Sequence, residues 1–221
     1  MFIGHYAVAL ASKRAAPRTS LGAAFAACQL PDLLWPVFLI LGWEHVELTP
    51  GSNPFLNLTF TDYPWSHSLL LDLVWAVLAG GLYFAVSRNR PGALVIALLV
   101  LSHWVLDWVT HRPDLPLYPG GPKVGLELWG SVVGTVVVEG GLFVAGVWLY
   151  FSSTRARDAV GRFGLGILLA LVVVLYVSTL MGPPPPSVQA IGWFGLVGWL
   201  IPLWAHWADR HRDPVTSEGS H

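Results

Sequence analysis

The chain is 221 residues long, 54% hydrophobic and only 11% charged, with a formal net charge of −1 and a mean hydropathy of +0.59. That apolar content marks an integral membrane protein, and a charge near zero with no dense basic run excludes an electrostatic nucleic-acid binder. The single cysteine, Cys28, excludes an internal disulfide and a thiolate-rich metal site, so any metal must be held by imidazole and carboxylate.

Residues 2–12 are apolar but too few to cross about 30 Å of hydrocarbon at 1.5 Å per residue, and they predict a half-span. Lys13, Arg14 and Arg18 follow this stretch instead of preceding it, so no cleavable leader is expected. A full span is expected over 20–43, broken or kinked by Pro31 and Pro36. A tight hairpin about Arg18 would bring His5 and Asp32 to similar depth and pair them. Residues 44–65 are polar and turn-rich and read as an exposed loop; it closes on Tyr63, Pro64 and Trp65 at the interface, with Ser66 placed to cap the next helix.

The next span, 67–87, carries His67 in its first turn and buries Asp72. A basic turn, Arg88 to Arg90, leads to a span over 92–111, and the Pro- and Gly-rich segment 112–128 is expected to lie over its end. The fourth span, 129–151, holds Glu139 alone among Val and Gly. Spans five and six, 163–181 and 188–207, are joined by Pro183 to Pro186 and read as scaffold, with His206 near their end. The expected fold is an all-α membrane protein of about six transmembrane helices plus a short N-terminal half-span helix. It forms one domain over 1–208, in which residues 1–150 carry the metal site and residues 160–208 supply scaffold helices, followed by a loose polar tail, 209–221. Ten of the 12 Lys and Arg residues fall on one side of this arrangement, so that side, with both termini, is expected to face the cytoplasm of a bacterial inner membrane.

His103, Asp107 and His111 stand at four-residue spacing and form one polar ridge on a helix. Depth along the spans brings Asp32, Asp72, His103, Asp107 and Glu139 into the outer half of the membrane. Charges facing lipid singly would each cost about 2.5 to 3.5 kcal/mol at a helix centre, which argues for one shared polar cavity. Imidazole and carboxylate suit zinc, and also manganese or iron. Such an ion lowers the pKa of bound water and stabilises an oxyanion, while Glu139 or Asp72 would serve as catalytic general base.

His5 in its apolar stretch, the Pro31-Asp32 pair, the His67-Ser68 pair and the His103-to-Asp107 spacing resemble the YdjM-like family of bacterial inner-membrane metal-dependent hydrolases, over roughly residues 1 to 115. The resemblance implies a metal site at His5, Asp32, His67, His103 and Asp107, and a hydrolytic activity. The chain departs from the family pattern at Leu34, where a second acidic residue is usual, and over Tyr63 to Ser66, where an arginine is usual. The expected function is therefore hydrolysis of a lipid or lipid-linked phosphate or ester at the extracytoplasmic leaflet, with a divalent metal and membrane lipid as partners. An ion- or proton-coupled transporter is one alternative and an assembly factor with a structural metal another. The transporter would require polar groups that continue to the cytoplasmic side, and the inner halves of the spans read as apolar.

Overall fold

Backbone polar groups inside a bilayer need partners within the protein, which leaves the helix as the spanning structure for runs of Leu, Val, Ala and Ile. The computed structural model describes residues 1–215 and shows an all-α membrane protein, with three two-stranded antiparallel ribbons among the described residues, all outside the helices. Residues 216–221 of the expected polar tail lie outside the described residues. Helix α1 is Ile3–Ala15, α2 Leu21–Cys28, α3 Leu30–Leu41, α4 Pro64–His67, α5 Leu69–Ser87, α6 Arg90–Thr110, α7 Val132–Ser153, α8 Leu165–Met181, α9 Val188–Val197 and α10 Leu200–Asp209. Strands β1 (His45–Leu48) and β2 (Leu58–Asp62) pair over the segment expected as an irregular loop. Strands β3 (Leu115–Pro116) and β4 (Lys123–Val124) pair within 112–128.

Among the described residues, five helical stretches are long and apolar enough to cross a membrane: α5, α6, α7, Val160–Met181 and Val188–Asp209. The pair α2 and α3 becomes a sixth if a 56° bend is allowed. The bend falls at Gln29, where Pro31 has no N–H to return to the preceding turn. The outward faces of the long helices are apolar and uncovered, with Val77 at 73% and Val133 at 74% exposure, as contact with lipid requires. The chain is a multi-pass membrane protein.

The half-span helix is largely buried. Ile3, Gly4, His5, Tyr6, Ala7, Ala9, Leu10 and Lys13 of α1 are all buried. Its most extensive packing is on α7, and only secondarily on α2, so the expected hairpin pairing gives way to a three-way seat between α7, α2 and α6. Gly146 makes the α1–α7 approach possible, because a Cβ there would stand 2.4 Å from the Ala7 carbonyl oxygen. At the far end of α6 the roof loop satisfies the last carbonyls: Leu126 N–H donates to Trp108 and Glu127 N–H to His111.

The end of the bundle away from the loops 44–65 and 112–128 is not apolar, contrary to the expectation from sequence. Lys13 Nζ lies 2.6 Å from Asp209 Oδ2 and also donates to the Thr19 carbonyl. Asp209 further accepts from the Leu21 amide and from the Tyr150 hydroxyl at 2.7 Å, so one carboxylate ties α1, α2, α7 and α10 together. These residues stand at the ends of their helices, where sequence alone gives no sign of mutual burial. The tail is also less loose than expected, since Arg212–Pro214 forms a strand (β6) against Thr154–Ala156 (β5).

A side chain at Gly146 must push α1 away from α7, whereas Gly141 on the same helix has open space around it. Overpacking of this kind costs about 1–3 kcal/mol, or roughly 3–10 °C for a chain of this size. Thermal unfolding in detergent should therefore show Gly146→Val melting several degrees below wild type, and Gly141→Val close to it. Equal midpoints would remove α1 from its assigned seat.

Candidate functional site

The last turns of α6 present His103 and Asp107, and the residue that ends the helix, His111, lies beside them; all three are buried, with relative exposures of 1%, 2% and 2%. Asp107 is the hub. Its Oδ2 lies 3.1 Å from His103 Nε2, 3.7 Å from His67 Nε2 and 3.8 Å from His111 Nε2. Its Oδ1 accepts from His5 Nε2 at 3.1 Å, and the Met1 backbone nitrogen lies against the same oxygen. Asp32, at the start of α3, places Oδ1 3.3 Å from His67 Nε2 and 3.8 Å from His103 Nε2. The structure thus brings together His5, Asp32, His67, His103, Asp107 and His111. It does not pair His5 with Asp32 as the hairpin reading expects; His103 stands between them, its ring stacked on His5 at 3.9 Å.

The other nitrogen of three of these rings is anchored outward. His103 Nδ1 donates to the Cys28 carbonyl at 2.8 Å, an acceptor at the end of α2 where the helix breaks. His111 Nδ1 donates to Asp114 Oδ1 at 2.9 Å, and the Tyr63 hydroxyl donates to the same oxygen. The Ser66 hydroxyl donates to Glu44 Oε2 at 2.7 Å and so accepts from His67 Nδ1 at 2.6 Å. A carbonyl or carboxylate can only accept, so Nδ1 carries the proton in each case and Nε2 turns its lone pair toward Asp32 and Asp107. Bare nitrogen and carboxylate oxygen repel unless a cation, either a proton on the ring or a metal ion, stands between them. His103 Nε2 lies 3.1 Å from Asp107 without making a hydrogen bond to it.

Outward anchoring of Nδ1 with Nε2 converging on carboxylates is the arrangement that orients histidine ligands around a metal. Donor atoms of His5, His103 and Asp107 fall within 4.8 Å of one another, as do those of Asp32, His67 and His103. Either group could hold a divalent ion, and His103 belongs to both.

Glu139 and Asp72 behave differently from this set. Glu139 Oε2 accepts the Phe2 and Gly4 amides at 2.8 and 3.3 Å, so the carboxylate caps the start of α1. Asp72 is fully buried on α5 and neither of its oxygens has a hydrogen-bond partner. Ser66 does not cap α5; Ser68 does, through Leu71, and His67 ends the short α4 instead of opening the span.

A cavity of about 690 Å³ opens onto the cluster. Asp32, His67, Asp107, His111 and Glu139 give it a polar side. Trp35, Phe55, Phe60, Trp129 and Tyr176 give it aromatic walls, and Pro183 to Pro186 close one flank. In the loops that anchor the histidines, burial pushes the Glu44 carboxyl up from its ordinary value against the opposing pull of His67 and Ser66. Burial pushes the His111 imidazole down, and burial beside Asp114 pushes the Tyr63 phenol well up.

Sequence reasoning missed Glu44, Tyr63 and Asp114, the residues that orient the histidines. Each lies in a polar loop, where a carboxylate or phenol carries no hydropathy signal to separate it from a solvated neighbour.

No protein-family model and no solved structure matches the chain. One curated protein that it resembles is named "Putative ribose uptake protein RbsU", from Lactobacillus johnsonii; the two are 23% identical over 169 residues. The match covers 72% of this chain and 51% of that protein, so the chain spans about half the length of the curated relative it matches. A relative named for uptake overturns the expected hydrolase. The general-base roles expected of Glu139 and Asp72 fall with it, and the Glu139 carboxylate is in any case engaged by the α1 amides.

Glu44→Ala would strand the buried Ser66 amide and hydroxyl, a loss of about 1–3 kcal/mol, whereas Glu44→Gln keeps an acceptor for one of them. Differential scanning of the detergent-purified protein should rank wild type above Glu44→Gln and Glu44→Gln above Glu44→Ala. A Glu44→Ala protein as stable as wild type would show that the Ser66–His67 anchor does not depend on Glu44.

Proposed function

We propose that this chain is a cation-coupled transporter of the bacterial cytoplasmic membrane that moves a small polyhydroxylated solute, a sugar, through the aromatic and carboxylate-lined cavity. The observation that carries this reading is the cavity itself. Its volume, about 690 Å³, is in the range of small-molecule sites, and its chemistry is two-sided. Carboxylate and imidazole accept hydroxyl hydrogen bonds, while faces of Trp and Tyr pack on the C–H side of a sugar ring. The relative named for ribose uptake supports the same solute class.

Two features of the chain suit transport. The α2–α3 break puts a free-ended helix carbonyl, that of Cys28, beside the buried cluster, in the manner of the discontinuous helices that line transporter sites. The Lys13–Asp209–Tyr150 cluster supplies polar groups toward the other face, which a transporter requires and which hydropathy alone does not reveal. An ion pair between α1 and α10 can open and close as those helices separate, while the His and Asp cluster holds the outer end. The excess of Lys and Arg, ten of 12, on the Lys13 side orients that side to the cytoplasm and the loops 44–65 and 112–128 outward.

A divalent metal, zinc by preference with manganese or iron as the other candidates, fits either donor group, His5 with His103 and Asp107 or Asp32 with His67 and His103, and His111 stands beside them with Nε2 3.8 Å from Asp107. When bound it supplies fixed positive charge. The chain's own residues hold the ligands in register through Cys28, Glu44 with Ser66, and Asp114.

Proteoliposomes containing the protein should accumulate radiolabelled ribose or another member of a pentose and hexose panel, with saturation. Asp107→Asn and His103→Ala should reduce that uptake by roughly tenfold or more, since each loses an interaction with a buried charge. Elemental analysis of the same preparations should find metal in wild type and His206→Ala, and none in His103→Ala. Wild-type vesicles that take up no sugar in the panel, with correctly folded protein, would overturn the transport reading. Metal-free wild type with intact uptake would leave protons as the coupling cation.

A further inference from the structure

At the end of the molecule opposite the His and Asp cluster, the α1–α2 turn meets the α5–α6 turn. Gly92 is the point of contact: a Cβ there would stand 2.8 Å from Thr19 Oγ1 and 2.9 Å from the Tyr83 ring. Because these two turns pack so closely, Arg18 from one and Arg88 and Arg90 from the other share a single cavity of about 540 Å³. No acidic residue lines it, and among the described residues no ion pair or side-chain hydrogen bond engages any of the three guanidiniums. Arg112, Arg157 and Arg212, by contrast, each bond a carboxylate, a hydroxyl or a carbonyl of the chain.

Gathering three like charges without a counter-charge is unfavourable, and the backbone adds to the cost. Arg88 ends α5 in the left-handed conformation, φ 56°, where glycine would be unstrained. Beside the cavity the helix faces turn apolar at once. Leu94 and Leu98 follow Arg90 at one-turn intervals on α6 and are 62% and 53% exposed. On α5, Leu82 and Val86 stand one turn apart shortly before Arg88 and are 67% and 80% exposed. These faces look into lipid. A ligand that satisfies both features has an anionic head and an apolar tail.

We propose that Arg18, Arg88 and Arg90 form a binding site for the phosphate of an anionic membrane phospholipid, with its acyl chains along the exposed α5 and α6 faces. Guanidinium groups bind phosphate oxygens with two parallel donors, and a basic pocket between helix ends at the membrane surface is the setting in which such headgroups are held. The Asn89 side chain caps α6 at Gly92, so the first turn of that helix adds its dipole to the same anion. The site lies apart from the transport cavity and does not depend on the function assigned there.

Native mass spectrometry of the full chain in detergent, titrated with phosphatidylglycerol, phosphatidylcholine or inorganic phosphate, tests the proposal. Wild type should retain phosphatidylglycerol in clear preference to phosphatidylcholine and should show no comparable occupancy by inorganic phosphate. Each Arg→Gln change should lower phosphatidylglycerol occupancy about fivefold, and R18Q/R88Q/R90Q should abolish the preference. The charge-preserving R88K/R90K should keep most of it. Equal retention of the two lipids by wild type, or undiminished phosphatidylglycerol binding by the triple variant, would overturn the site. Inorganic phosphate binding as tightly as the lipid would overturn the lipid assignment. If the triple variant does not purify folded, the single variants R88Q and R90Q carry the test, and full lipid occupancy in both overturns it.

Discussion

Asp107 is the charge around which the loop-capped end of this protein is assembled. A carboxylate 2% exposed, in a bundle whose exterior is hydrocarbon, is tolerable only if positive or polarisable partners surround it. It obtains them from four histidines on three different segments: His5 on α1, His67 at the end of α4, His103 on its own helix and His111 at that helix's C-cap. The short α1, which cannot span a membrane alone, is fixed at one end by this carboxylate. The chain between α3 and α5 is folded back so that His67 reaches it.

The histidines are placed by groups that never touch the centre. Glu44 holds Ser66, which holds His67; Asp114 holds His111; the Cys28 carbonyl holds His103. Three separate anchors, from a loop hairpin, a roof loop and a broken helix, turn the same face of each ring inward. This explains why the polar loops are ordered over the membrane domain, and why α2 and α3 are two helices instead of one. A continuous helix through Gln29 would return its carbonyls to its own amides and leave His103 Nδ1 without an acceptor.

The two ends of α1 join two polar clusters of different character. His5 enters the cluster at the cavity. Eight residues on, about 12 Å along the helix axis, Lys13 enters the ion pair with Asp209. Between them α1 is seated against α7 through Gly146 with no room for a side chain. A rigid element that links the His and Asp cluster to the Lys13–Asp209 ion pair is mechanically suited to the proposed transport role, because displacement at one end is carried to the other.

Much of this was legible in the sequence. Hydropathy and length alone determine that the chain is helical and crosses the membrane several times, since hydrocarbon admits few other solutions for runs such as Leu69–Ser87 or Arg90–Thr110. The four-residue spacing of His103, Asp107 and His111 determines that they share a face, because helical period is a local property. Pro31 announces the break near Gln29 for the same local reason. What only the tertiary structure decided is which distant groups meet. That His5 lies on Asp107 and not on Asp32, that Glu44 and Asp114 orient histidines from polar loops, and that Lys13 finds Asp209 across the bundle all depend on how helices pack. Packing is set by non-local shape, such as the absent side chain at Gly146, and leaves no periodic trace in the residues it brings together.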